Sequence, residues 1–119
     1  HPLEAARLLG SDAAAVQSGR LAAARQLADA LGCTVVLKGS GTVIADPGQI
    51  PVLNLTGNAR LGTAGTGDVL AGLVAARLAA GQSAFQAACA AVHQHGQSAD
   101  DWPDGEALTA GALARRLCV

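Results

Sequence analysis

The stretch "NARLGTAGTGDVLAGLVAARL", residues 58–78, sets three glycines, Gly62, Gly65 and Gly67, within six residues of each other and runs straight into an apolar, helix-forming segment. A glycine turn that opens a helix offers unpaired amides and the positive end of the helix dipole, which together receive anions. Yet the residue after the last glycine is Asp68. Gly62 and Gly67 are spaced like the first and last glycines of the phosphate loop GxxxxGK[ST], but Asp68 stands where the lysine should be and would repel a phosphate. The order GxxGxG is not the dinucleotide fingerprint either. One reading reconciles these facts: the turn holds an anion, and Asp68 accepts a proton from a substrate hydroxyl. The alternatives are an ordinary strand-to-helix turn and a helix capped by Asp68.

Working outward, the segment 66–80 reads as a helix closed by Gly81, followed by a second from Ser83 to about His95, closed by Gly96. Both are apolar on almost every side, with Val69, Leu70, Leu73, Val74 and Leu78 in one and Phe85, Ala88, Cys89, Ala91 and Val92 in the other. Such helices belong inside a larger body. Upstream, "TVVLK" (34–38) and "TVIAD" (42–46) read as strands joined through "GSG", a hairpin, and "PVLNLT" (51–56) as a third strand. Residues 2–10 and 18–31 are expected to be helical, residues 100–105 a loop, and 106–117 a last helix. The order gives an α/β layered fold with a narrow sheet.

The totals close off several function classes. Half of the 119 residues are hydrophobic and the formal net charge is −1, so a packed core is affordable and no basic footprint for nucleic acid or an anionic membrane exists. One Phe and one Trp leave almost nothing for bases to stack on. No apolar run reaches the roughly 18 residues of a membrane span. Cys33, Cys89 and Cys118 are scattered and odd in number, as expected for reduced thiols in a cytoplasmic protein; Cys89 reads as inert packing. No metal site is expected. His93 and His95 point about 200° apart on a helix, so His95 is read as a helix-ending residue with its ring against carbonyl groups. Asp100, Asp101 and Asp104 lack the glycine and distal glutamate of a calcium loop and read as a solvated turn. Arg115 and Arg116 complement the dipole of the last helix.

The segment "GNARLGTAGTGDVLAGLVAARLAAG" (57–81) resembles the signature GNxxLATxGxGDVLAGxIAxLLAxG of the ADP/ATP-dependent NAD(P)H-hydrate dehydratases, the carbohydrate-kinase-like branch of the ribokinase superfamily. Other stretches agree in order: "HPLEAARLLG" (1–10) with HPGEMARLLG, "VVLKGSGTVIADPGQ" (35–49) around KGxxT, "AACAAVHQHGQSAD" (87–100) with AAxxAVxLHGxAGD, and "LTAGALARRL" (108–117) with the closing TAxDLxxxLP. The resemblance covers essentially the whole chain. It implies a ribokinase-like three-layer fold, of which residues 1–119 are the C-terminal part of a single domain whose N-terminal half is absent.

The resemblance also implies a chemistry. ADP or ATP, with Mg²⁺, would phosphorylate the ring hydroxyl of hydrated NADH or NADPH, and loss of phosphate would restore the nicotinamide. Asp68 matches the base, and the amides at Gly65, Thr66 and Gly67 match the anion hole. Lys38, Gly39, Ser40, Gly41 and Thr42 match the nucleotide-binding KGxxT segment, with Gly67 completing the contacts to AMP. His1, with Asp68, matches the contact to the hydrated dinucleotide, although Leu3 replaces the glycine of HPGE. The fragment alone is expected to have little or no turnover. An NAD(P)H-hydrate epimerase, fused or separate, is an expected partner, and an apolar flank would favour a homo-oligomer. Two rival readings are a vitamin-precursor kinase of the same superfamily and a catalytically silent nucleotide-binding fragment.

Overall fold

The computed structural model describes residues 1–117; Cys118 lies outside the described residues. The chain forms two compact units, residues 1–54 and 55–119.

In the first unit, α1 (Pro2–Leu9), α2 (Ala13–Ser18) and α3 (Arg20–Leu31) precede three short strands, β1 (Val35–Leu37), β2 (Val43–Ala45) and β3 (Val52–Leu53). His1 caps α1: its Nδ1 accepts from the Leu3 amide at 3.2 Å, and Glu4 accepts from the His1 nitrogen at 3.0 Å. The helix α2 was not anticipated from the sequence. Asp12 starts it by accepting from the Ala15 amide at 2.8 Å, a cap that lay in plain view within "SDAAAV".

The expected hairpin is present, with Val35 opposite Ala45 and Leu37 opposite Val43. Thr34 ties its open end to the Asp46 carboxylate. β3 pairs antiparallel with β2, so all three strands alternate in direction in the order β1-β2-β3. The third strand is only two residues long rather than six. Pro51 brings no N–H to the ladder, and beyond β3 one further bond runs from the Asn54 amide to Thr42 O at 2.9 Å. Leu37, Val43 and Ala45 close on alanines of α1 and α3, Val16 and Leu27 to form the buried core of this unit. Alanine at so many contacts lets helix and sheet backbones approach closely.

One charged side chain organises the turn between β1 and β2. Arg20, the first residue of α3, donates from Nη2 to the carbonyls of Leu37 and Gly41, each at 3.1 Å, and from Nη1 to Lys38 O at 3.5 Å. Gln17 steadies the guanidinium at 2.8 Å.

In the second unit, a 3₁₀ turn (Ala59–Gly62) leads to α4 (Thr66–Ala79), α5 (Ala84–Asp100) and α6 (Ala110–Arg116). α4 packs mainly on α5, and α6 touches both. Leu70 and Leu73 of α4 and Ala87, Ala88, Ala91 and Val92 of α5 are buried. No described helix is long and apolar enough to cross a membrane.

Two boundaries differ from expectation. α6 begins at Ala110 rather than 106, because Thr109 caps it through the Ala112 amide at 3.2 Å. α5 does not stop at Gly96 but runs on to Asp100. Gly96 is an interior residue used for close approach, not a terminator. A Cβ built there would lie 2.2 Å from Thr56 Oγ1 and 2.6 Å from the Thr56 carbonyl carbon. Asp100, expected in a solvated turn, is therefore helical, and its carboxylate receives the Gly57 amide at 2.8 Å and Asn58 Nδ2 at 3.0 Å. Asp104 pairs with Arg60 at 3.4 Å, and Arg116 lies over the Trp102 ring at 4.9 Å from its centroid.

Two predictions test these contacts. Gly96→Ala should gain about 1 kcal/mol of helix propensity yet destabilise on balance, by about 1–3 kcal/mol in urea unfolding, because backbone atoms of Thr56 cannot yield as a side chain would. Arg20→Met should cost about 1–3 kcal/mol and speed amide exchange at the turn between β1 and β2 more than elsewhere.

Candidate functional site

The glycine turn is built as its spacing suggested, with one refinement. Gly65 takes φ 87°, a left-handed conformation that a side chain would resist, and this residue occupies the capping position of α4. No side chain caps the helix. Asp68 lies in the first turn, three residues past the cap position, so it is not the capping residue. Among the described residues its carboxylate is exposed and has neither a hydrogen bond nor an ion pair. Asp68 is thus unpartnered among the described residues.

The amides divide in a way the sequence did not reveal. The Thr66 N–H reaches the Thr63 carbonyl at 3.4 Å, whereas the amides of Gly67 and Asp68 have no backbone acceptor among the described residues. The first helical bond is made by Val69, to Gly65 O at 3.2 Å. The turn itself is held from within. The buried Thr66 hydroxyl lies 2.6 Å from Leu61 O and 3.0 Å from Thr63 O. Free amides at the positive end of a fourteen-residue helix suit phosphate oxygens.

Behind the turn lies His95, only 7% exposed, with Nε2 2.9 Å from the Thr66 carbonyl oxygen. A carbonyl can only accept, so Nε2 carries the proton. Burial pushes the ring below the usual imidazole range, against a smaller upward pull from this hydrogen bond, so the ring is neutral at pH 7. The expected contact of ring and carbonyl is found, but in mid-helix and across to α4. His93, two residues earlier, is exposed, and its carbonyl accepts from Thr56 Oγ1 at 2.9 Å. Burial raises the pKa of the half-buried Cys89 thiol.

In the other unit, Lys38, Gly39, Ser40, Gly41 and Thr42 form the turn between β1 and β2. Gly39 and Ser40 are exposed, and Thr42 Oγ1 donates back to Gly39 O at 3.1 Å. The lysine side chain has no hydrogen bond or ion pair among the described residues, although its charge is among those that hold the Glu4 carboxyl below its ordinary range. His1 is exposed at the start of α1, occupied with its cap. Arg20 is the contributor that sequence reasoning missed; an arginine 17, 18 and 21 residues before its acceptors carries no local signal. No three His, Cys, Asp or Glu side chains converge among the described residues. A Mg²⁺ ion that keeps most of its waters and rides on phosphate oxygens would suit these residues better than an all-protein cage.

The family profile described as NAD(P)H-hydrate dehydratase matches residues 1–118. The chain is 48% identical over 117 residues to the ADP-dependent (S)-NAD(P)H-hydrate dehydratase of Neisseria meningitidis, covering 98% of this chain and 40% of that protein. It superposes on the ADP/ATP-dependent NAD(P)H-hydrate dehydratase of Bacillus subtilis, co-crystallised with ATP/Mg²⁺, with a TM-score of 0.85 at 34% identity, over 97% of this chain and 43% of that one. A ribokinase-like superfamily protein from Enterococcus faecalis follows, with a TM-score of 0.75 at 30% identity, over 86% of this chain and 36% of that one. The chain therefore spans about two fifths of the length of these three relatives, and its α/β fold is ribokinase-like. With its glycine turn, its unpaired Asp68 and this match along nearly every residue, the chain belongs to the NAD(P)H-hydrate dehydratase family.

Proposed function

We propose that this chain supplies the phosphate-binding turn and the catalytic base of an ADP- or ATP-dependent NAD(P)H-hydrate dehydratase, as part of a longer ribokinase-like domain. The observation that carries the reading is the exposed, unpartnered Asp68 carboxylate one turn into a helix whose leading amides have no backbone acceptor. The bound nucleotide, with Mg²⁺, supplies the phosphoryl group. Gly67, with Gly65 and Thr66 shaping the turn, presents main-chain N–H groups to the charge that builds up during transfer. Asp68 takes the proton of the hydrated nicotinamide's hydroxyl as that oxygen is phosphorylated; breaking of the C–O bond releases phosphate, and loss of a proton to solvent from the neighbouring ring carbon restores the double bond. A free carboxylate suits this better than a paired one, since no partner competes for the incoming hydrogen. The segment Lys38–Thr42 is assigned to nucleotide binding, with Lys38 as its mobile cation and Arg20 as its brace. His1 is assigned to the substrate. Action in the cytoplasm, alongside an NAD(P)H-hydrate epimerase fused or separate, belongs to the same reading.

Asp68→Asn in the complete natural polypeptide tests it. Nucleotide-dependent recovery of reduced nicotinamide absorbance from the hydrate should fall by about 10²–10⁴-fold, the range for loss of a general base. Affinity for ADP, followed by calorimetry, should stay within a few-fold because the carboxylate does not hold the phosphate. Turnover that survives the substitution would remove Asp68 from the chemistry. A parent that turns over a vitamin precursor with ATP, and not the hydrate, would favour the kinase reading. One that binds ADP and turns over neither would be a silent binder.

A further inference from the structure

The peptide between Thr66 and Gly67 belongs to two environments at once. Its carbonyl faces His95 of α5, at 2.9 Å from Nε2. Its N–H is that of Gly67, which has no backbone acceptor among the described residues and opens from the helix start. A trans peptide is planar, so its C=O and N–H point in opposite directions and turn together. Gly67 has no side chain whose packing could set that plane.

We propose that His95 is a positioning residue of the phosphate-binding turn: by donating from Nε2 to the Thr66 carbonyl it adds to the hydrogen bonding of the first turn of α4, fixes the Thr66–Gly67 peptide plane more tightly and so aims the Gly67 N–H. The inference rests on the reading that this amide meets the phosphoryl group. A donor on the carbonyl side also polarises the peptide and strengthens its N–H as a hydrogen-bond donor. The surroundings suit such a fixed contact. The ring is buried, and the next residue, Gly96, lies against the Thr56 backbone, while Asp100, one turn further on, holds the Gly57 amide and Asn58. The second half of α5 is thereby pinned to the same chain segment that leads into the turn, and the ring has little freedom to drift.

Two variants in the complete natural polypeptide decide the matter. His95→Leu keeps bulk and removes the donor; His95→Gln keeps an N–H at a similar reach. Loss of an oxyanion donor outright costs about 10²–10³ in kcat, so a donor left in place but poorly aimed should cost His95→Leu about 10–100-fold, with KM for the nucleotide nearly unchanged. His95→Gln should recover most of that loss. Without any ligand, the amide proton of Gly67 should shift upfield and exchange faster in His95→Leu than in the parent, and less so in His95→Gln. An unmoved Gly67 amide in His95→Leu overturns the proposal, as does a kcat per folded molecule equal to that of the parent, or a glutamine variant no better than leucine. If the parent itself shows no nucleotide-dependent turnover, the reading of the site fails instead; the proposal then stands or falls on whether inorganic pyrophosphate shifts the Gly67 amide in the parent and less so in His95→Leu.

Discussion

Between Leu55 and Gly65 the backbone has no strand and only one 3₁₀ turn, so its polar groups must find partners outside regular structure. The Gly57 amide and the side chains of Thr56 and Asn58 find theirs on α5. His93 O receives the Thr56 hydroxyl, Asp100 receives the Gly57 amide and Asn58, and His95 reaches the Thr66 carbonyl. Gly96 permits this by letting two backbones come closer than any side chain would allow. An irregular segment of this length would otherwise fluctuate, and amides that wander cannot stabilise a charge that exists only briefly.

Glycine creates that problem as well as solving it. Gly65 allows the left-handed bend that frees the leading amides of α4, and Gly67 keeps their approach open. Each glycine also removes a side chain that might have fixed the peptide by packing. The fixing falls to polar groups one layer behind: the Thr66 hydroxyl in the turn itself and the imidazole on the next helix. The first unit uses the same arrangement at its own glycine turn, where a guanidinium grips carbonyls from behind while Lys38 stays unpaired.

Much of this was legible in the residues. The hairpin followed from β-branched runs flanking "GSG", and α4 from its apolar run after the glycines. The place of Asp68 in the first turn of α4 followed from its distance to the glycines; its part in proton transfer is the proposal built on that place. What escaped reading shares a physical cause. Gly96 looks like a helix terminator because a lone glycine after His95 usually is one, and only the nearness of Thr56, forty residues away in the chain, gives it another task. Asp100 looked solvated for the same reason. The helix α2 was hidden behind polar residues that are in fact its cap, and Arg20 has acceptors that no local pattern can predict. Contacts between distant segments leave no periodicity.

The grip of Arg20 has a consequence for how this sequence can change over generations. Every atom it holds in the β1–β2 turn is a main-chain oxygen, of Leu37, Lys38 or Gly41. The brace is therefore indifferent to which side chain follows Lys38 and Gly39. Ser40 can drift while the shape of the turn is inherited intact.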